Sequence, residues 1–132
     1  MKDLKNKNII VTGASGGIGN SIVEKLYVSG ANILASGTKI EKLEELKNRF
    51  NNIKILKFDI SQIEKIQEFI ENSSKALGGL DCIVNNAGVT QDNLAIRMSI
   101  DEWKKVIDVN LTSTFLMSKF AIKKMLKNEK GK

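Results

Sequence analysis

The sequence predicts an α/β fold, a doubly wound parallel sheet with helices on both faces. Two observations carry this reading. From Asn8 to beyond Ile100, strand-sized apolar runs alternate with segments whose apolar residues recur at helical spacing. The first junction, Asn8 to Gly19 (NIIVTGASGGIG), joins an apolar strand to a helix through Gly13, Gly17 and Gly19. No linker or repeat interrupts the alternation, so residues 1–132 read as a single domain. Apolar residues at 42% and charged residues at 27% match an ordinary globular chain rather than a disordered one.

Taken in order, Ile9, Ile10 and Val11 suit a parallel strand buried on both faces. The three glycines then let the backbone turn tightly and let a pyrophosphate approach the first amides of the next helix. Ile22, Val23 and Leu26 give that helix one apolar face, and Gly30 is placed to end it. Strand two is Ile33 to Ser36, and the second helix carries Ile40, Leu43 and Leu46 on one side. Strand three is Ile53 to Phe58, followed by a helix with Ile63, Ile66, Phe69 and Ile70 facing the core. The Gly78-Gly79 break introduces strand four, Leu80 to Val84. Beyond a loop from Ala87 to Met98, a last helical region runs from Ile100 to Asn128 with a break near Asn110, and no fifth strand follows.

Thr38 with Glu41, Ser61 with Glu64 and Ser99 with Glu102 have the spacing of capping boxes and so mark three helix starts. The right-handed crossover rule and the usual doubly wound order arrange the strands 3-2-1-4. Strand four is then an edge, whose exposure predicts marginal stability or association.

Several function classes are excluded by composition. With no histidine and only Cys82, the chain supplies no Ser-His-Asp triad, no histidine-based metal site and no internal disulfide. Cys82 is expected in a buried strand as a small apolar residue, without chemistry. The net charge of +6 permits nucleic acid, but lysines are spread along every segment and aromatics are only 5%, which favours a solvated surface and no nucleic-acid partner. Lys123, Lys124, Lys127, Lys130 and Lys132 form a local basic cluster. It would meet an acidic carrier or, more plainly, complement the negative end of a helix. No apolar run reaches the roughly 20 residues that cross a bilayer, and Met1 to Lys7 leads into a strand without a signal-peptide core, so a cytoplasmic chain without a membrane partner is expected.

Four features in this order, the turn from Thr12 to Gly19, Asp59, Asn85-Asn86-Ala87-Gly88 and Asn110, resemble the short-chain dehydrogenase/reductase family and its Rossmann fold. Gly88 to Met98 (GVTQDNLAIRM) and Glu102 to Phe115 (EWKKVIDVNLTSTF) are similar to bacterial 3-oxoacyl-acyl-carrier-protein reductases, and the resemblance spans nearly the whole chain. It implies cofactor contacts from Gly13, Ser15, Gly16, Gly17, Ile18 and Gly19, from Thr38 and Lys39, from Asp59 and Ile60, and from Asn86, Ala87 and Gly88. Asp59 would accept from the adenine amino group with Ile60 beside the ring, or it merely stops strand three ahead of Ser61. Small residues in the NNAG segment would let the cofactor ribose lie against backbone while the asparagine amides brace the sheet edge. Asn110 aligns with the asparagine of the family's catalytic Asn-Ser-Tyr-Lys tetrad.

Cofactor choice is read at the end of strand two. An acidic residue there would bind the ribose 2'-hydroxyl and favour NAD, whereas Ser36-Gly37-Thr38-Lys39 offers two hydroxyls and an ammonium and favours NADP(H). The family's NADP enzymes often carry a basic residue inside the glycine turn. Here that position is Gly16, so Lys39 has more of the selection to do, unless it is simply a surface residue of helix two.

The family also uses a serine at the end of strand five and a tyrosine followed four positions later by lysine. The only tyrosine here is Tyr27, in the first helix, and the residue four positions on is Ala31. The resemblance therefore implies the N-terminal half of an NADPH-dependent reductase, cut before strand five and inactive alone, because hydride transfer needs both reactants held in place. Its parent would reduce a 3-oxoacyl-acyl-carrier-protein in fatty acid biosynthesis. The alternatives are a nucleotide-binding or protein-interaction module using the strand-four edge and the last helix, or one chain of a split reductase. Residues 112 to 128 would retain half a dimer surface, so a homo-oligomer or a complementing C-terminal half are the expected protein partners.

Overall fold

The computed structural model describes residues 3–88 and 93–127. Its elements are β1 (Asn8–Val11), α1 (Gly17–Val28), β2 (Asn32–Gly37), α2 (Ile40–Arg49), β3 (Lys54–Lys57), α3 (Ile66–Leu77), β4 (Cys82–Val84), α4 (Ile100–Val106) and α5 (Ser113–Lys127). A 3-10 turn at Ile63–Lys65 precedes α3, and a π-helical segment at Ile107–Thr112 joins α4 to α5. The four strands are parallel in the order β3-β2-β1-β4, as expected. Ile10 lies between Leu34 and Ile83, and Ala35 pairs with Ile55.

Side-chain alternation along the central strands divides the interior into two cores. Ile9, Val11, Ile33 and Ala35 face α1 and α2, packing on Val23, Leu43 and Leu46. Ile10 and Leu34 face the opposite way, onto Ile66, Phe69 and Ile70 of α3 and Met117, Ala121 and Met125 of α5. A sheet buried on both faces explains why β1 reads as an unbroken apolar run rather than an alternating one. The spacing of Met117, Ala121 and Met125 lays α5 along the sheet. It leaves Phe115, Ile122 and Leu126 exposed on its other side, with Leu111 of the π-helical segment exposed as well.

Only one of the three expected capping boxes forms its cap. Ser99 accepts the Glu102 amide at 3.1 Å, although the Glu102 carboxylate turns to the Asn93 side-chain amide at 3.2 Å rather than back to the cap. Thr38 does not cap α2, which starts at Ile40 with Lys39 in the cap position and no side-chain bond. Nor does Ser61 cap: the 3-10 turn starts two residues later, and the Ser61 hydroxyl instead donates to Asp59 Oδ1 at 2.7 Å. An acceptor two residues back outcompetes the helix amides for that hydroxyl.

Elsewhere the expectations need smaller adjustments. Gly30 (φ +89°) ends α1, its amide bonded to the Tyr27 carbonyl at 3.0 Å and that of Ala31 to Leu26 at 3.1 Å. Cys82 is half-buried on the edge strand rather than fully buried. The break near Asn110 is the π-helical segment, a continuous but wider turn. Among the described residues no helix is long and apolar enough to cross a membrane, and no cluster of three metal-ligating side chains occurs. Lys123, Lys124 and Lys127 line a small cleft with Gln67 and Glu71 between α5 and α3, while Lys130 and Lys132 lie outside the described residues.

Candidate functional site

A groove of about 620 Å³ opens across the C-terminal ends of the strands, the place where ligands bind in open α/β sheets. Its lining comes from the four strand ends: residues 12–13 and 15–19, then 36–38, then 58–61, then 86–88, with Lys105 and Val109 added from the helical wall.

The glycine turn is shaped by two close approaches. Gly13 has φ +64°, and a Cβ there would sit 2.8 Å from Ala87 Cα and 2.9 Å from its nitrogen. At Gly19 a Cβ would fall onto the Gly13 carbonyl and lie 2.8 Å from Ala14 Cα. The first glycine admits the β4 loop against the turn, and the last admits α1. By contrast, a Cβ on Gly17 would meet nothing within 4 Å.

That opening lies at the N-terminus of α1. Its cap, Gly16, is extended and supplies no side-chain bond, and the first turn holds no acidic residue. Asn20 is the first residue to close a bond onto the cap, its amide 2.9 Å from the Gly16 carbonyl. The amides of Gly17, Ile18 and Gly19 precede it and face outward at the positive end of the helix dipole. A groove floored by uncapped amides, with no carboxylate at the helix start and room at Gly17, fits an anionic pyrophosphate.

Thr12 ties the β4 loop to this turn. Its hydroxyl donates to the Val84 carbonyl at 3.3 Å and accepts the Asn86 and Ala87 amides, both at 3.1 Å. Asn86 Nδ2 donates to the Gly13 carbonyl at 3.2 Å, and Asn85 Nδ2 donates to Ser118 Oγ of α5 at 3.1 Å. The two asparagines thus brace β4 against β1 and α5. Replacing Thr12 with valine keeps the shape but leaves the Ala87 amide without its acceptor, while the Asn86 amide keeps the Val84 carbonyl at 3.1 Å, an expected loss of about 1–3 kcal/mol. Urea unfolding checks this: the midpoint falls with its slope unchanged in Thr12→Val and is largely kept in Thr12→Ser.

At the end of β2, the Ser36 carbonyl accepts the Ala14 amide at 2.8 Å, which holds the turn on the strand. Thr38 is exposed and lines the groove; Lys39 is exposed and stands outside the lining. At the end of β3, Asp59 Oδ1 accepts both the Ser61 amide at 2.9 Å and its hydroxyl, while the residue itself lines the groove. Asp59 therefore stops the strand and still presents a carboxylate to the groove. Ser113 Oγ lies 2.7 Å from the Ile60 carbonyl and 2.8 Å from the Asp108 carbonyl and shares its one proton between them, which fixes the helical wall to this strand end. Asn110 stands behind Gly88: a Cβ on that glycine would lie 2.9 Å from Asn110 Oδ1.

The sequence-expected residues Gly13, Ser15, Gly16, Gly17, Ile18, Gly19, Thr38, Asp59, Ile60, Asn86, Ala87 and Gly88 all line one groove. Lys39 and Asn110 border it. Tyr27 packs elsewhere, its ring 5.0 Å from that of Phe50 in the first core. Five lining residues were not expected from sequence: Thr12, whose hydroxyl is the junction, Phe58, Ser61, Lys105 and Val109. Thr12 had a signal, being the residue that opens the glycine turn.

The chain is similar to known proteins. The family model described as short chain dehydrogenase matches residues 7–132. The 3-oxoacyl-[acyl-carrier-protein] reductase FabG of Rickettsia conorii is 41% identical over 133 aligned positions, covering 100% of this chain and 54% of that protein. The protein of the same name from Aquifex aeolicus is 36% identical, with 98% and 54% covered. Among solved structures, a short-chain type dehydrogenase/reductase from Mycobacterium marinum superposes with a TM-score of 0.90 at 25% identity, over 96% of this chain and 53% of that one. A short-chain dehydrogenase/reductase (glucose/ribitol dehydrogenase) from Brucella melitensis gives 0.86 at 30% identity, over 94% and 52%. The chain spans about half the length of the relatives it matches.

Proposed function

The chain belongs to the short chain dehydrogenase family, and from that premise we propose that it is the NADP-binding, N-terminal half of a 3-oxoacyl-[acyl-carrier-protein] reductase. The observation that carries the reading is the single groove into which the glycine turn and all the strand ends converge. Support for the particular reductase comes from relatives of that name aligned along the whole chain. The parent activity would be cytoplasmic reduction of a 3-oxoacyl thioester.

In this reading the amides of Gly17, Ile18 and Gly19 hold the pyrophosphate, Asp59 and Ile60 receive the adenine, and Asn86 to Gly88 form the backbone bed of the nicotinamide-side ribose. The hydride for the carbonyl carbon would come from NADPH held by these residues. Thr38 and Lys39 select the 2'-phosphate by hydroxyl and ammonium contacts, where a carboxylate would repel it. Asn110 is the tetrad member that these residues contain.

The test is to place that carboxylate. In Thr38→Asp, calorimetric titration is expected to show NADPH binding at least about tenfold weaker with NADH held or improved, because like charges in contact cost several kcal/mol. Equal loss of both nucleotides would remove residue 38 from selection. A second reading, one chain of a split reductase, draws on two features, the exposed residues Leu111, Phe115, Ile122 and Leu126 and the position of β4 at the sheet edge.

A further inference from the structure

We propose that Lys105 contacts the adenine base of the bound nucleotide, donating to a ring nitrogen while Asp59 accepts from the 6-amino group. The inference rests on the nucleotide-binding reading of the groove. Among the described residues two charged side chains line that groove, Asp59 and Lys105, and of these Lys105 is the cation. It belongs to α4, four residues before Val109, which is buried and lines the same groove. Four residues further on, Ser113 Oγ is bonded to the Ile60 carbonyl at 2.7 Å. The wall carrying Lys105 is therefore anchored to the end of β3, where Asp59 and Ile60 stand. The expected 2'-phosphate position is instead at the end of β2, beside Thr38.

Lys105 makes no ion pair among the described residues, so its ammonium is not committed to a neighbouring carboxylate. Adenine presents a donor, the 6-amino group, flanked by the acceptors N1 and N7. A carboxylate and an ammonium converging on the edge of one base satisfy that alternation. The plain alternative is a solvated helix lysine. Lys104 and Lys105 are both exposed, and of the two Lys105 lines the groove while Lys104 stands outside it.

The test is titration of the 132-residue chain and its variants with NADPH and NADH, followed by protein fluorescence or calorimetry, with circular dichroism confirming the fold. Lys105→Met is expected to weaken both nucleotides by the same factor, about three- to tenfold, with Lys105→Arg restoring most of it and Lys104→Met changing neither. The factor should persist between about 0.05 M and about 0.5 M salt, because a contact with a neutral base is screened less than distant attraction to phosphate. Selective loss of NADPH would assign Lys105 to the 2'-phosphate and overturn the proposal. So would unchanged binding in Lys105→Met, or a factor that vanishes at high salt. If the unaltered chain binds neither nucleotide, the parent reading itself falls, a result distinct from binding that ignores Lys105.

Discussion

Gly19→Ala is expected to destabilise the chain by about 3 kcal/mol and to weaken NADPH binding by more than about tenfold. The added Cβ falls on the Gly13 carbonyl and within 2.8 Å of Ala14 Cα, both backbone, so no side chain can rotate away. Helix propensity favours alanine by about 1 kcal/mol at an interior position, but the clash is the larger effect and sets the sign. To relieve it, α1 must back off the turn and take the amides of Gly17, Ile18 and Gly19 with it. Gly17→Ala separates stability from binding. Its Cβ meets nothing within 4 Å, so urea unfolding should be unchanged within about 0.5 kcal/mol while the methyl group occupies the space proposed for the pyrophosphate. Equal stability of the two variants would contradict the packing argument.

The second large expectation concerns turnover. A polypeptide of these 132 residues is expected to bind NADPH and yet reduce no acetoacetyl thioester above background. Its only tyrosine, Tyr27, is on α1 and packed near Phe50, away from the groove, with Ala31 where the family's lysine would follow. Asn110 alone supplies neither a proton donor for the carbonyl oxygen nor a hold on the substrate. Orientation of the two reactants accounts for about 7–11 kcal/mol of barrier in well-positioned reactions, and under the proposed function the described residues would provide it for the nucleotide only. Measurable NADPH consumption dependent on the thioester would overturn this, and with it the roles assigned to the missing tetrad members.

The sheet was legible because its signals are local and redundant. Apolar runs buried on both faces mark β1 and β2, glycines mark the turns, and the crossover rule leaves few orders for four parallel strands. Most of the groove was legible for the same reason, since strand ends in an open α/β sheet share one edge. The capping boxes show where spacing fails. Ser61-Glu64 and Ser99-Glu102 are identical patterns, yet Asp59 captures the hydroxyl of the first and nothing captures that of the second.

Lys105 could not be separated from Lys104 in sequence. Which of two adjacent lysines faces the groove depends on the phase of α4, and that phase is set by burial of Val109 and by the Ser113 to Ile60 bond across a π-helical turn. Such a turn departs from 3.6-residue periodicity, so periodicity alone reads it only as a break near Asn110. Lys39 shows the converse placement. Sequence places it beside the groove, but its backbone caps α2 and its side chain stands outside the lining.

The most direct measurement is calorimetric titration of NADPH into the purified, folded 132-residue chain, with NADH as the competitor. The account predicts saturable, one-site binding of NADPH that is tighter than that of NADH. A chain that is folded by circular dichroism and binds neither nucleotide would contradict it, leaving the glycine turn as scaffold and the apolar stripe of α5 as the feature to explain.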